Sequence, residues 1–235
     1  MKMIGSRVRR RGRIAAAWAS LALAGALFAP GAASADSEPM HFRVEPLQAA
    51  DCGYRCPNVV VADGVIEPDT PDAFIEFARQ AAHANNLKSV LLINSPGGNV
   101  VASMEFGVKL RELGMSAIVA GYGYDGMRAG PTAGECVSAC VYALMGAVKR
   151  VAPEQSRVAL HRMSVAQSEA PTRGHGGSVT RRYADQRLVD IVARYAQQMG
   201  VSPEVVRQAE SLDADHIRML SSGEMRRWRL ATPKL

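Results

Sequence analysis

Two periods of apolar and polar residues take turns along most of this chain. Residues 58–61 (Asn-Val-Val-Val) and 89–93 (Ser-Val-Leu-Leu-Ile) are short apolar runs. Such runs make strands buried on both faces. Residues 117–120 and 157–160 read the same way, and 41–44 predict a strand leading into the domain. Between these runs the period becomes helical. Thr70 and Pro71 open a first helix, on which Ala73, Phe74, Phe77, Ala78 and Ala81 share a face. Val101, Met104 and Val108 form one stripe of a second helix, and Phe106, Leu110 and Leu113 another. A third is expected over 138–147, and a long amphipathic one over 179–199. Ser202-Pro203-Glu204 opens the next, and Ser221 with Glu224 has the spacing of a capping box for a last short helix. The Asp63-Gly64 step signals a turn, with Val65-Ile66 as a return strand. The Gly-rich stretches 121–134 and 163–178 predict loops. Alternation of strands and helices places the chain in the α/β class.

Residues 1–35 stand outside this pattern. Lys2, Arg7, Arg9, Arg10, Arg11 and Arg13 precede an uncharged Ala/Leu-rich run over 14–28, and Ala33-Ser34-Ala35 then meets the polar Asp36. A basic region, an apolar region and a small-residue cleavage site in that order predict a signal peptide removed near Ala35. The apolar run is short for a membrane span. The expected product is one domain over 36–235, exported by the general secretory route to the periplasm or the medium. The charge picture changes with this cut. Six of the 28 basic residues and none of the 22 acidic ones lie in 1–35, which leaves 22 of each. The basic balance of the whole chain therefore gives no support to nucleic-acid binding.

The four cysteines are Cys52, Cys56, Cys136 and Cys140. An even count in an exported chain predicts disulfides, and four cysteines allow three pairings, none excluded by the sequence. Their spacing fits no standard zinc module, so no metal is expected.

Three segments carry candidate chemistry. Asn94-Ser95-Pro96-Gly97-Gly98 follows a buried strand, where two glycines allow a sharp turn with outward N–H groups. Gly134-Glu135-Cys136-Val137-Ser138-Ala139-Cys140 leads into an apolar helix. A serine there is an N-cap or a nucleophile. Ser156-Arg157-Val158-Ala159-Leu160-His161 ends a strand on a histidine, the residue type that serves as general base to a serine.

Taken in order, with Gly146-Ala147-Val148-Lys149-Arg150 between the last two, these segments resemble the proteolytic subunit of Clp protease, from about Asn58 to the C-terminus. The chain looks closer still to uncharacterised periplasmic members of the ClpP/crotonase superfamily that also carry a Cys-x-Ser-x-Cys segment. The resemblance implies a repeated ββα spiral. It implies Ser138 as nucleophile, His161 as general base, and the N–H groups of Gly98 and Ala139 as oxyanion-hole donors. It points to Asp213 as the third member of the triad, counted back from Leu220-Ser221, with Asp215 in reserve. Three features depart from the family: a longer 121–134 segment, the cysteines flanking the serine, and the position of the acid.

The function this implies is an exported serine hydrolase, a peptidase acting on a peptide or protein, with no cofactor. Self-association is implied by the resemblance only. No Clp ATPase is expected to feed an exported chain, since ATP is cytoplasmic. A Ser–Lys peptidase is disfavoured because no lysine occurs between Lys149 and Lys234. A crotonase-like enzyme would need cytoplasmic coenzyme A. The remaining alternative is a non-catalytic binding or envelope protein on the same fold.

Overall fold

The computed structural model describes residues 38–47, 56–124, 128–168, 179–213 and 216–234. Residues 1–35, over which a signal peptide is expected, lie outside them, as do Cys52 and Asp215. In chain order the elements are β1 (His41–Pro46), β2 (Asn58–Asp63), α1 (Thr70–Ala81), β3 (Leu87–Asn94), α2 (Val100–Glu112), β4 (Ser116–Tyr124), β5 (Ala129–Ala133), β6 (Glu135–Val137) and α3 (Cys140–Gly146). There follow β7 (Arg150–Val151), β8 (Arg157–Leu160), β9 (Ser164–Ser168), β10 (Val179–Tyr183), α4 (Gln186–Gln198), α5 (Glu204–Glu210), β11 (Arg218–Met219) and α6 (Ser222–Arg227).

Two ladders organise the chain. The main sheet runs β1-β2-β3-β4, with both β5 and β7 paired to β4. Strands β2, β3, β4 and β7 are parallel, and β1 is antiparallel at one edge. Val59, Val61 and Leu91 to Ile93 are fully buried, which is why these strands read as unbroken apolar runs. The second ladder is built from shorter pieces. Pro39 bridges Val65, Ile66 bridges Gly98, and Ser95 bridges Cys136, all in parallel. Strand β6 then pairs with β8, and β8 with β11. Each of β2, β3 and β4 thus leads to a piece of the second ladder and then to a helix. This is the repeated ββα spiral expected from the sequence.

Packing holds the layers together. Phe42, Phe74 and Phe106 meet edge-on or tilted, with ring centroids 4.9–5.8 Å apart. Helices α2 and α3 touch backbone to backbone at Gly107 and Gly146, where a β-carbon on Gly146 would lie 2.0 Å from the Gly107 carbonyl oxygen. The last turn of α3 needs partners for its carbonyls. Arg150 donates to the carbonyls of Met145 and Ala147 at 3.1 and 2.8 Å, and to Leu230 at 2.8 Å. Thr232 bridges Val151 in parallel, so the C-terminal segment covers the β7 edge.

Four expectations need correction. Val65-Ile66 is not the return strand of a hairpin: it pairs in parallel with Pro39 and Gly98, as a rung of the second ladder. The stretch 163–178 is not wholly loop, and 179–199 is not one helix. Residues 164–168 and 179–183 form the antiparallel pair β9–β10, with Tyr183 opposite Ser164. Asp185 stops that strand by capping α4, its side chain accepting from the Leu188 N–H at 2.8 Å. Finally, 121–134 is mostly strand, since β4 runs on to Tyr124 and β5 returns along it.

Candidate active site

The Asn94–Gly98 segment is a staple across three repeats. The Asn94 amide donates to Asp63 at 3.1 Å, and its oxygen accepts from the Glu135 N–H at 2.8 Å. Fully buried Ser95 exchanges backbone hydrogen bonds with Glu135 and Val137, at 2.8 and 3.0 Å. Asn99 closes the turn by capping α2, accepting from the Ala102 N–H at 2.9 Å.

Gly97 and Gly98 have φ of 109° and 140°. Both are also crowded. A β-carbon at 97 would lie 2.7 Å from the Val137 carbonyl oxygen and 3.1 Å from the Ser138 β-carbon. At 98 it would lie 2.1 Å from the Ile66 carbonyl oxygen. Gly97 is therefore the floor on which Ser138 rests. The Ile66 N–H donates to Gly97 and the Asn99 N–H to Ile66, at 2.8 and 2.7 Å. These bonds flank Gly98. Its own N–H takes no part in them, and Gly98 is exposed.

Ser138 sits between β6 and α3 at φ 55°, the left-handed region that L-residues seldom occupy. A serine held this way on a strand-to-helix turn presents its side chain where flanking backbone does not cover it. Two bonds fix the turn. The Ser138 N–H donates to Ala159 at 2.9 Å, and its carbonyl accepts from Val141 at 3.1 Å. Cys136 and Cys140, both fully buried, form a disulfide across it with Cα atoms 5.2 Å apart. Cys56 is also disulfide-bonded. The Ala139 N–H makes no hydrogen bond among the described residues.

Because β6 and β8 are parallel, the bond to Ala159 sets Ser138 against the end of β8, and His161 follows two residues on, half-buried. Among the described residues the Ser138 hydroxyl makes no hydrogen bond. An unliganded catalytic pair is often looser than the working one.

The Asp213 carboxylate is 91% exposed, with His216 Nδ1 at 3.7 Å. Glu210, on the last turn of α5, stands beside the segment after His161, with only 14% of its side chain exposed. Its Oε1 accepts from the Met163 N–H at 3.0 Å, and its Oε2 is 3.9 Å from Arg162 Nε. Burial pushes the Glu210 carboxyl up, opposed by the Met163 hydrogen bond and by the charges of Arg162 and His161. Sequence reasoning missed Glu210 because an acid at a helix end reads as ordinary surface.

A groove of ≈ 440 Å³ opens next to Gly98, between the start of α2 and the β9–β10 pair. Val101, Val165 and Tyr183 on its walls are 49%, 66% and 39% exposed. Among the described residues no group of acidic, histidine and cysteine side chains could hold a metal ion, and no helix is long and apolar enough to cross a membrane.

No family model matches this chain, and no curated protein does. Among solved structures it is similar to a mutant of the 1510-N membrane-bound stomatin-specific protease: 14% identity over 73% of this chain and 76% of that one, with a TM-score of 0.48. A second mutant of that protease, in complex with a substrate peptide, gives 16% identity, coverage of 75% and 74%, and a TM-score of 0.46.

Proposed function

We propose that this chain is an exported serine hydrolase that cleaves peptides by acyl transfer. The observation that carries the reading is Ser138 itself: a serine in left-handed conformation on a strand-to-helix turn, seated on Gly97 beside the end of β8. Ser138 attacks the scissile carbonyl and His161 takes its proton, then returns it to the leaving amine. The N–H groups of Gly98 and Ala139, which have no other duty among the described residues, receive the oxyanion. Glu210 takes the place expected of Asp213, as a positioning residue that holds the segment after His161. The peptide lies in the groove between α2 and β9–β10, where the exposed apolar walls favour apolar side chains.

A second reading, a non-catalytic binding protein, is favoured by the Ser138 hydroxyl, which makes no hydrogen bond among the described residues. Activity-based labelling separates the two. The purified protein should react with a fluorophosphonate probe, and both Ser138→Ala and His161→Ala should abolish the reaction. A wild-type protein that stays unlabelled while correctly folded would decide for the binding protein.

A further inference from the structure

Helix α3 starts just after Ser138, and at its other end the chemistry is different. A cavity of ≈ 470 Å³ there is lined by Lys149, Arg150, Arg226 and Arg229, with Val151 and Leu230 among its apolar walls. Among the described residues no acidic side chain lines it. Lys149, Arg226 and Arg229 are exposed, and none forms an ion pair among the described residues. Arg150 lies deeper. Its donors are taken by the carbonyls of Met145, Ala147, Arg229 and Leu230, which satisfy its geometry and leave its charge uncompensated. Burial, then the charge of Arg111, holds its guanidinium below the ordinary value, and Arg229 acts the same way. This is no reflection of overall charge, because residues 36–235 carry 22 basic and 22 acidic side chains.

Arg229 adds an independent observation. It directly follows the C-cap of α6, at φ 55°, with its N–H on Arg226 at 3.0 Å and the Leu230 N–H on Met225 at 2.8 Å. Glycine is the usual residue in that position, because it bears no steric penalty there. The backbone would be better served by glycine, yet the chain places a third exposed cation there.

We propose that this cavity binds a phosphoryl group, with the anion held by Lys149, Arg226 and Arg229. Forked guanidinium donors suit tetrahedral oxyanions of high charge, and a cavity of this size suits a small ligand or a lipid headgroup. The ligand is a free phosphate ester or an anionic phospholipid. The site is independent of the reading of Ser138.

The test uses the purified protein. Pyrophosphate is titrated calorimetrically, and vesicles of phosphatidylglycerol are compared with vesicles of phosphatidylcholine by co-sedimentation. Binding to pyrophosphate alone identifies a soluble ester, and binding to phosphatidylglycerol alone identifies a lipid. Either supports the site, provided that Arg229→Gly weakens it at least about tenfold. That variant is informative because the fold and the ligand make opposite demands. Glycine relieves the left-handed residue, so the melting temperature should stay level or rise while binding falls. Arg226→Gln, away from the strained position, should weaken binding similarly. The proposal fails if neither probe binds, if Arg229→Gly binds undiminished, if binding falls only in variants that also lose stability, or if malonate binds as tightly as pyrophosphate.

Discussion

Ser138 occupies a conformation that costs an L-residue about 1–2 kcal/mol. The turn is held there by the Ala159 hydrogen bond, the Gly97 floor and the Cys136–Cys140 ring. Ser138→Gly should therefore raise stability, by about 1 kcal/mol at most given glycine's greater chain entropy, while abolishing fluorophosphonate labelling. Thermal melting and labelling on one sample read both effects. Gly97→Ala should do the reverse of the first. Its β-carbon meets the Val137 carbonyl oxygen and the Ser138 β-carbon, so both stability and labelling should fall. Part of this site was legible in the sequence. The paired glycines, the serine before an apolar helix and the histidine after a strand each announce themselves. The sign of φ at 138 does not, because serine carries no mark of left-handed backbone as glycine does.

At the level of elements, the site depends on how α5 and the β9–β10 pair hold the chain after His161. Glu210→Gln isolates the charge, since an amide oxygen can still accept from the Met163 N–H. Labelling and turnover should fall, by about 10²-fold if the His161 segment shifts by 1 Å. Stability should respond in the opposite sense. Burial raises the Glu210 carboxyl above 4.5 in the folded state, so its contribution is fully present below that pH and is lost as pH rises through the higher folded value. The glutamine variant escapes that loss, so its stability relative to wild type should climb as pH rises above 4.5. Urea melts at several pH values measure this. This level was the least legible. The β9–β10 pair lies in a polar tract whose period does not declare a strand, and the helical pattern over 186–198 extends backward across Val179–Tyr183 without a visible break. Only the pairing with Ser164–Ser168 and the Asp185 cap decide the boundary. The Ser221–Glu224 capping box, which depends on no distant partner, was readable and is present.

For the whole molecule, the parallel repeat was legible because each buried strand writes its own apolar run. Of the second ladder only β8 was, because the rungs at Pro39, Val65-Ile66, Ser95 and Gly98 are one or two residues long and exist only once the repeats stack. Arg150 shows how the stack is closed. It joins the end of α3 to the carbonyls of Arg229 and Leu230, at 3.0 and 2.8 Å. Arg150→Lys keeps the charge but lacks the fork, so it should leave several carbonyls without donors and cost about 3 kcal/mol, read as a lowered denaturant midpoint. The same closure governs how the chain is made. Synthesis runs from the N-terminus, and Arg150 emerges 80 residues before the Leu230 carbonyl that its Nε meets. Until Thr232 has left the ribosome, the β7 edge has no strand segment beside Val151. An open parallel edge is a template for other chains. Nascent chains stalled in this interval, and proteins trimmed before Thr232, should join aggregates through that edge, so the last few residues act as a cover against misassembly.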